Sequence, residues 1–237
     1  MAANKNNSNR TFFQKLKTFL WKTMLWFFGI SLFLVIVFKW VPVPFTPLMV
    51  TRALEQKFAG KEMTCSHTWV PLEEISTNMQ KAVIASEDGT FLTHYGFDFK
   101  AMQKAFRNNE RGRRLKGGST ISQQTAKNVF LWQGRSYIRK GLEAYFTILI
   151  EIVWGKERIM EVYLNSIEMG EGVYGVEAAS EYWYQTKANN LTKMEAAGIA
   201  AILPNPRKFK ASNSSAYIQK RKGKILKTMR QIGKINY

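Results

Sequence analysis

The chain of 237 residues has one cysteine, Cys65, two histidines, His67 and His94, and two aspartates, Asp88 and Asp98. A single cysteine excludes an internal disulfide and any multi-cysteine zinc site. With so few histidines and no His-Glu-x-x-His pattern, a zinc hydrolase of that type is excluded too. The two aspartates form no Asp-x-Asp pair, the usual means of holding a nucleotide-sugar diphosphate through a metal. Residues 112–119 miss a nucleotide P-loop because Gly118 stands where that motif requires lysine. No repeat and no long low-complexity tract is present. Acids are scarce as well, 17 against 35 Lys and Arg, for a net charge of +18, and none follows Glu195. That imbalance bears on partners rather than fold: nucleic acid, an anionic bilayer surface or a phosphate-bearing substrate would be attracted.

Charge is missing altogether from Thr23 to Phe38, a run rich in Leu, Phe, Ile, Val and Trp. At about 1.5 Å per residue this run is slightly short of a hydrocarbon core of about 30 Å. Snorkelling Lys22 and Lys39 and interfacial Trp21, Trp26 and Trp40 extend it to a full span over residues 20–43. No small-residue cleavage pattern follows, so the run reads as an uncleaved anchor rather than a signal peptide. Lys5, Arg10, Lys15, Lys17 and Lys22 precede it without one acid, which by the positive-inside rule leaves residues 1–19 as a cytoplasmic tail. Residues 44–237 then form a domain on the far side, the periplasm or outer surface of a bacterium, where nucleic acid is no partner.

Pro42, Pro44 and Pro47 predict a stiff exit from the membrane. A short amphipathic helix is expected over Met49 to Phe58 and a strand-like piece over Glu62 to Val70. Ser76 or Thr77 caps a helix whose apolar Met79, Ala82 and Val83 recur at helical spacing and which delivers Glu87 at its end. A further helix is expected from Phe99 to Asn109, running into the basic loop 111–116. Thr120 with Gln123 makes a capping box opening the next helix, and Thr192 with Glu195 makes another. Leu142, Phe146, Leu149 and Val153 predict a buried stripe on a long helix from Tyr137 to Trp154. Helices are expected at Glu157 to Ile167 and Gly175 to Tyr184. Ile218, Ile225, Met229 and Ile232 predict an amphipathic helix with a basic face in the tail. The domain is mainly α.

Two stretches carry the chemistry. EDGTFLTHYG, from Glu87 to Gly96, holds a carboxylate pair, a histidine and a glycine exit; GGSTISQQ, from Gly117 to Gln124, is a glycine-rich turn feeding a helix. A Glu-Asp dipeptide is ordinarily a solvated turn, and a glycine-rich turn ordinarily a capped loop. Together they read as a base beside an anion cradle, because a helix start presents free backbone N–H groups. In RKGLE, Arg139, Lys140 and Glu143 lie close on one helix, spacing that ordinarily means a surface ion pair. Lys127 and Arg135 add two cations, and four cations with backbone donors suit a pyrophosphate.

Five segments in one order, EDGTFLTHYG, GGSTISQQTAKN, RKGLE, KERIMEVYLN from Lys156, and YGVEAAS at Tyr174 to AAILPNP at Ala200, resemble the family 51 glycosyltransferases, the peptidoglycan glycosyltransferases. Ser122 departs from a frequent Thr there, keeping the hydroxyl. The lone anchor, a length with no room for a transpeptidase domain, and the VPVPFTPLM stretch are similar to the monofunctional members of Gram-negative bacteria. The resemblance implies a lysozyme-like helical large lobe, a small membrane-abutting lobe, and a single N-terminal transmembrane helix in the inner membrane. It implies polymerisation of lipid II: the growing chain on undecaprenyl pyrophosphate is the donor, lipid II the acceptor, and the donor carbon inverts. Glu87 is then the general base and Glu143 the second carboxylate, near the leaving group. Ser119, Thr120, Gln123, Gln124, Lys127, Arg135, Arg139 and Lys140 line the donor phosphate site. Asp88 and His94 order the loop; Asn165 and Glu168 are structural. No cofactor is required, although a divalent cation at the donor pyrophosphate is compatible. Partners are the substrate and product glycans, membrane lipids, and other cell wall synthesis and division proteins. A lysozyme-like hydrolase or lytic transglycosylase acting on the same polymer, with Glu87 as acid, is the alternative, and a non-catalytic basic scaffold a third.

Overall fold

The computed structural model describes residues 3–110, 118–134 and 136–237, without the side chains of 3–12, 104, 106 and 108–110. It separates into two compact units, Met1–Val41 and Pro42–Tyr237. The first contains one long helix, α1 (Ala3–Val37), in which Phe13–Val37 is long and apolar enough to cross a membrane. The span expected at 20–43 overlaps this stretch, and the helix itself ends at Val37. Phe38 and Val41 still bond back to Leu34 and Val37, and Pro42 and Pro44 then halt the coil, because each disfavours helix in the residue before it.

The second unit is mainly α, as the sequence predicts. Its helices are α2 (Pro47–Phe58), α3 (Thr77–Glu87), α4 (Phe99–Glu110), α5 (Ile121–Phe130), α6 (Tyr137–Val153), α7 (Gly155–Ser166), α8 (Val176–Tyr184), α9 (Lys193–Ile202) and α10 (Ala216–Met229). Of the expected strand over 62–70 only β1 (Ser66–His67) forms; it pairs parallel to β3 (Val173–Tyr174), which pairs antiparallel to β2 (Glu168–Gly170). The basic loop 111–116 lies outside the described residues.

Capping fixes where these helices begin. Thr46 accepts from Met49 N–H ahead of Pro47, and Ser76 accepts from Asn78 N–H. Both capping boxes form, Thr120 with Gln123 and Thr192 with Glu195. Packing makes two groups, α3 with α9 and α10, and α5 with α6 and α7. In the first, Met79, Ala82 and Val83 are fully buried, as their spacing requires. In the second, the rings of Phe130 and Phe146 stack at 4.5 Å and lock α5 to α6.

The α6 stripe differs from expectation. Its buried face is Arg139, Glu143, Phe146, Thr147 and Ile150, with Leu142, Leu149 and Val153 on its flank. Apolar periodicity alone locates the stripe one position off, because two of the buried residues are charged. The tail helix matches in part: Ile218, Ile225 and Met229 are buried and Lys220, Lys224 and Lys227 exposed, but the helix stops at Met229 and Ile232 lies beyond it, only partly buried. Beyond α10 the chain folds back onto α3, where Lys81 donates to Ile232 O and Tyr237 to Gln80.

Candidate active site

Glu87 is the last residue of α3, and Asp88 caps that helix. The carboxylate of Asp88 is buried and accepts three kinds of donor: Ile121 N–H at 2.9 Å, His94 Nε2 at 2.9 Å, and the Thr90 hydroxyl at 3.4 Å. Because Asp88 is an acceptor, His94 Nε2 carries the proton; its Nδ1 is buried with no hydrogen-bond partner. Ile121 is the first residue of α5, so a negative charge from the first motif sits on the positive end of the helix opened by the second. Thr120 completes the join by donating to Gly96 O at 2.6 Å. Gly96 has φ of 80°, and a Cβ there would stand 2.8 Å from Thr147 Cγ2, so the loop exit tolerates no side chain.

The start of α5 therefore departs from an open anion cradle. Thr120 N–H is taken by Gln123 Oε1, Gln123 N–H by the Thr120 hydroxyl, and Ile121 N–H by Asp88. The anion at this helix end is the protein's own. Thr120 and Gln123 are buried and hold the turn, while Ser119 keeps partial exposure.

What α5 presents outward is Gln124 and Lys127, three residues apart and on one face. Gln124 Nε2 donates to Glu87 Oε2 at 3.2 Å, and Tyr163 of α7 donates to Gln124 Oε1 at 3.5 Å, which fixes the amide with its NH2 toward Glu87. Tyr163 is fully buried, and burial raises its phenol well above the usual value, so it remains a donor. Glu87 keeps 16% of its side-chain surface open. Burial raises its carboxyl above the ordinary glutamate value; Gln124, Arg221 and Ser86 oppose the rise and Asp88 adds to it.

One turn along α5, Lys127 faces a second cluster. Glu143, 3% exposed, accepts from Arg139 Nη1 at 2.8 Å and Lys140 Nζ at 2.5 Å. This is a buried Arg139–Glu143 pair joined by the exposed Lys140, rather than the surface pair that its spacing ordinarily means. Burial lowers the Lys127 ammonium below the usual lysine value; the charge of Glu143 opposes this, and Arg139, Lys140 and Arg52 reinforce it. Among the described residues Arg139 Nε is buried without a hydrogen-bond partner. Arg135 lies outside the described residues. One helical turn thus carries the chain from a half-buried carboxylate to a convergence of cations. A polar recess of about 390 Å³ lined by Glu73, Ser76, Asn78 and Asn189 sits at the other end of α3 and takes no part.

Comparison with known proteins decides the family. A family profile described as Transglycosylase matches residues 55–230. The chain is 51% identical over 216 residues, 91% of its length and 92% of the relative's, to the biosynthetic peptidoglycan transglycosylase of Pseudomonas syringae pv. syringae (strain B728a). It is 52% identical over 217 residues, covering 92% and 87%, to that of Bdellovibrio bacteriovorus, and 51% over 211 residues, covering 89% and 85%, to that of Bacteroides thetaiotaomicron. The chain belongs to the transglycosylase family.

In this transglycosylase three contacts at the site carried no sequence signal. Arg221 of α10 brings Nη2 to 3.4 Å from Glu87 Oε1, across 134 residues of chain. In the sequence it is one cation in a basic run, and only its place beside Ile218 and Ile225 on the inward side of α10 marks it. Tyr163 reads as an ordinary core aromatic. Glu151 accepts from Ser122 at 2.5 Å and Lys156 at 2.7 Å, tying α5, α6 and α7 together behind the site. The two residues read as structural are so placed: Asn165 is fully buried and bonds Val70 through both amide atoms, and Glu168 pairs with Arg52.

Among the described residues no group of three or more His, Cys, Asp or Glu is placed to hold a metal ion. Glu143, the acid nearest the cations, already has both oxygens engaged.

Proposed function

We propose that this chain is an inverting peptidoglycan glycosyltransferase that polymerises lipid II into glycan strands for the cell wall. Family membership and the names of its relatives support the activity. The observation that carries the mechanism is the single turn of α5 joining Glu87, through Gln124, to Lys127 and the Arg139–Lys140–Glu143 triad.

Glu87 takes the proton from the acceptor sugar hydroxyl of lipid II as that oxygen forms a bond to the donor anomeric carbon. The bond from that carbon to the undecaprenyl pyrophosphate breaks, the electron pair leaves with the phosphate, and attack from the opposite side inverts the centre. A placed carboxylate contributes roughly 100- to 10,000-fold to such a step. Neutralising the leaving diphosphate adds a comparable factor, supplied by Lys127, Arg139, Lys140 and Arg135 with Ser119 and Gln124. Glu143 holds Arg139 and Lys140 in place; Thr120, Gln123, Asp88 and His94 act by holding the turn. The reaction needs no cofactor, and any divalent cation arrives on the diphosphate itself.

The apolar helix Phe13–Val37 fits a membrane anchor. We place its amino terminus in the cytoplasm and the domain in the periplasm, at the inner membrane, on the basic and acid-free segment before it. Partners are lipid II, the growing chain, membrane lipids, and cell wall synthesis and division proteins, and not nucleic acid. The test is to give the purified full chain lipid II or finished sacculi. Polymer from lipid II is expected; soluble fragments from sacculi without polymer would establish cleavage instead.

A further inference from the structure

Arg221 belongs to neither cluster described by the sequence motifs, yet it reaches Glu87. It lies one turn from each of the buried Ile218 and Ile225 on α10, and only 27% of its side chain is exposed. Nη2 stands at ion-pair distance from Glu87 Oε1, while Gln124 occupies the other carboxylate oxygen, Oε2. Among the described residues Arg221 Nε is buried and without a hydrogen-bond partner. A guanidinium that gives up water on one edge and meets a single carboxylate on the other is committed to that carboxylate. The base is thus approached on Oε2 by a neutral donor from α5, and on Oε1 by the neighbouring Ser86 hydroxyl and a positive charge from α10.

We infer that Arg221 is a positioning residue for Glu87, holding the base ionised and aimed, so that α10 serves as the third wall of the active site. This rests on the reading of Glu87 as the general base. The groups facing Glu87 can be named from each packed element: Gln124 from α5, Tyr163 from α7, Ser86 and Asp88 beside it, and Arg221 from α10. The buried residues of α9, which packs on α3, are Ala, Gly and Ile and bring no charge. Asp88 is a like charge and Tyr163 a neutral phenol, so Arg221 is the one cation in that set. Its removal leaves the buried carboxylate to hold its proton to higher pH.

The test compares lipid II polymerisation by the full chain in detergent for wild type, Glu87→Gln, Arg221→Gln and Arg221→Lys, with KM and kcat measured across pH. In Arg221→Gln the acid limb of kcat moves to higher pH, with a deficit on the order of tenfold near pH 6 that largely disappears near pH 9. Arg221→Lys keeps the charge and leaves the limb at the wild-type position. A pH-independent loss in Arg221→Gln, or a rise in KM with kcat unchanged, overturns the inference, the second by making Arg221 a contact for substrate phosphate. If Arg221→Gln does not fold, Arg221→Lys decides, since a displaced limb in that variant also overturns it. Activity surviving in Glu87→Gln would instead defeat the base assignment, so the two failures are distinct.

Discussion

Glu87 at the end of α3 and Glu143 inside α6 are withdrawn from water in opposite ways. Glu143 is 3% exposed and has a cation on each oxygen, at 2.8 and 2.5 Å. Glu87 is more open, at 16%, but has an amide at 3.2 Å, and one guanidinium and the Ser86 hydroxyl each at 3.4 Å. The side chain with more solvent is therefore the one with weaker compensation, and burial raises its proton affinity. A fully matched carboxylate fixes its neighbours; an under-matched one is left able to take a proton. In the proposed mechanism the same residue type becomes scaffold or base according to which partners its helix brings.

That contrast is broken most severely at Glu87. Glu87→Gln keeps the shape and the contact with Gln124, so polymerisation of lipid II falls roughly 100- to 10,000-fold while the fold survives. The linkage has a definite sign. A carboxyl whose folded value lies above its unfolded one contributes stability below the ordinary glutamate range and loses it as pH rises through the raised value. At neutral pH the ionised Glu87 is a cost, and Glu87→Gln melts at or above the wild-type temperature in a thermal scan at pH 7.

Glu143→Ala produces the opposite pattern. It leaves Arg139 buried without its carboxylate, and denaturant unfolding shows a loss of about 3–5 kcal/mol. Asp88→Asn keeps the volume but removes the charge at the start of α5 and an acceptor for His94; a loss of about 1–2 kcal/mol is expected. Its polymerisation rate falls further than stability alone explains, because the join between the two motifs loosens. Lys140→Ala has the smallest structural effect, since that side chain is 47% exposed. Its melting temperature stays near wild type, while KM for the lipid substrate rises about tenfold as one charge-assisted contact to phosphate is lost.

Local signals were strong where a helix begins. Ser76, Thr120 and Thr192 each sit at the cap their side chains predict, and Glu87 falls at a helix end as the periodicity of Met79, Ala82 and Val83 requires. Apolar patterning failed on α6, because the buried face includes Arg139 and Glu143 and no hydropathy pattern anticipates a buried ion pair. The anion cradle read over Gly117 to Thr120 is in part taken up by the protein itself, since the N–H groups of Thr120 and Ile121 go to Gln123 and Asp88. Free donors at a helix start are real, but which anion fills them depends on what the fold brings, and here it is Asp88. The spacing of Arg221 from Ile218 and Ile225 marks only the inward side of α10, because its meaning lies in a contact with Glu87 between residues far apart in sequence. Of the membrane segment, composition located the helix, and the helix ends at Val37, ahead of Pro42 and Pro44.

The contrast between the two glutamates reduces to one quantity, the protonation of Glu87 in the folded chain. It is measured by carbon NMR titration of glutamate carboxyl groups in the full chain in detergent, with the Glu87 resonance assigned as the one missing from Glu87→Gln. The resonance is expected to titrate above the ordinary glutamate range. A midpoint at or below that range would mean that the partners of Glu87 outweigh its burial, and the division of labour between the two carboxylates would be contradicted.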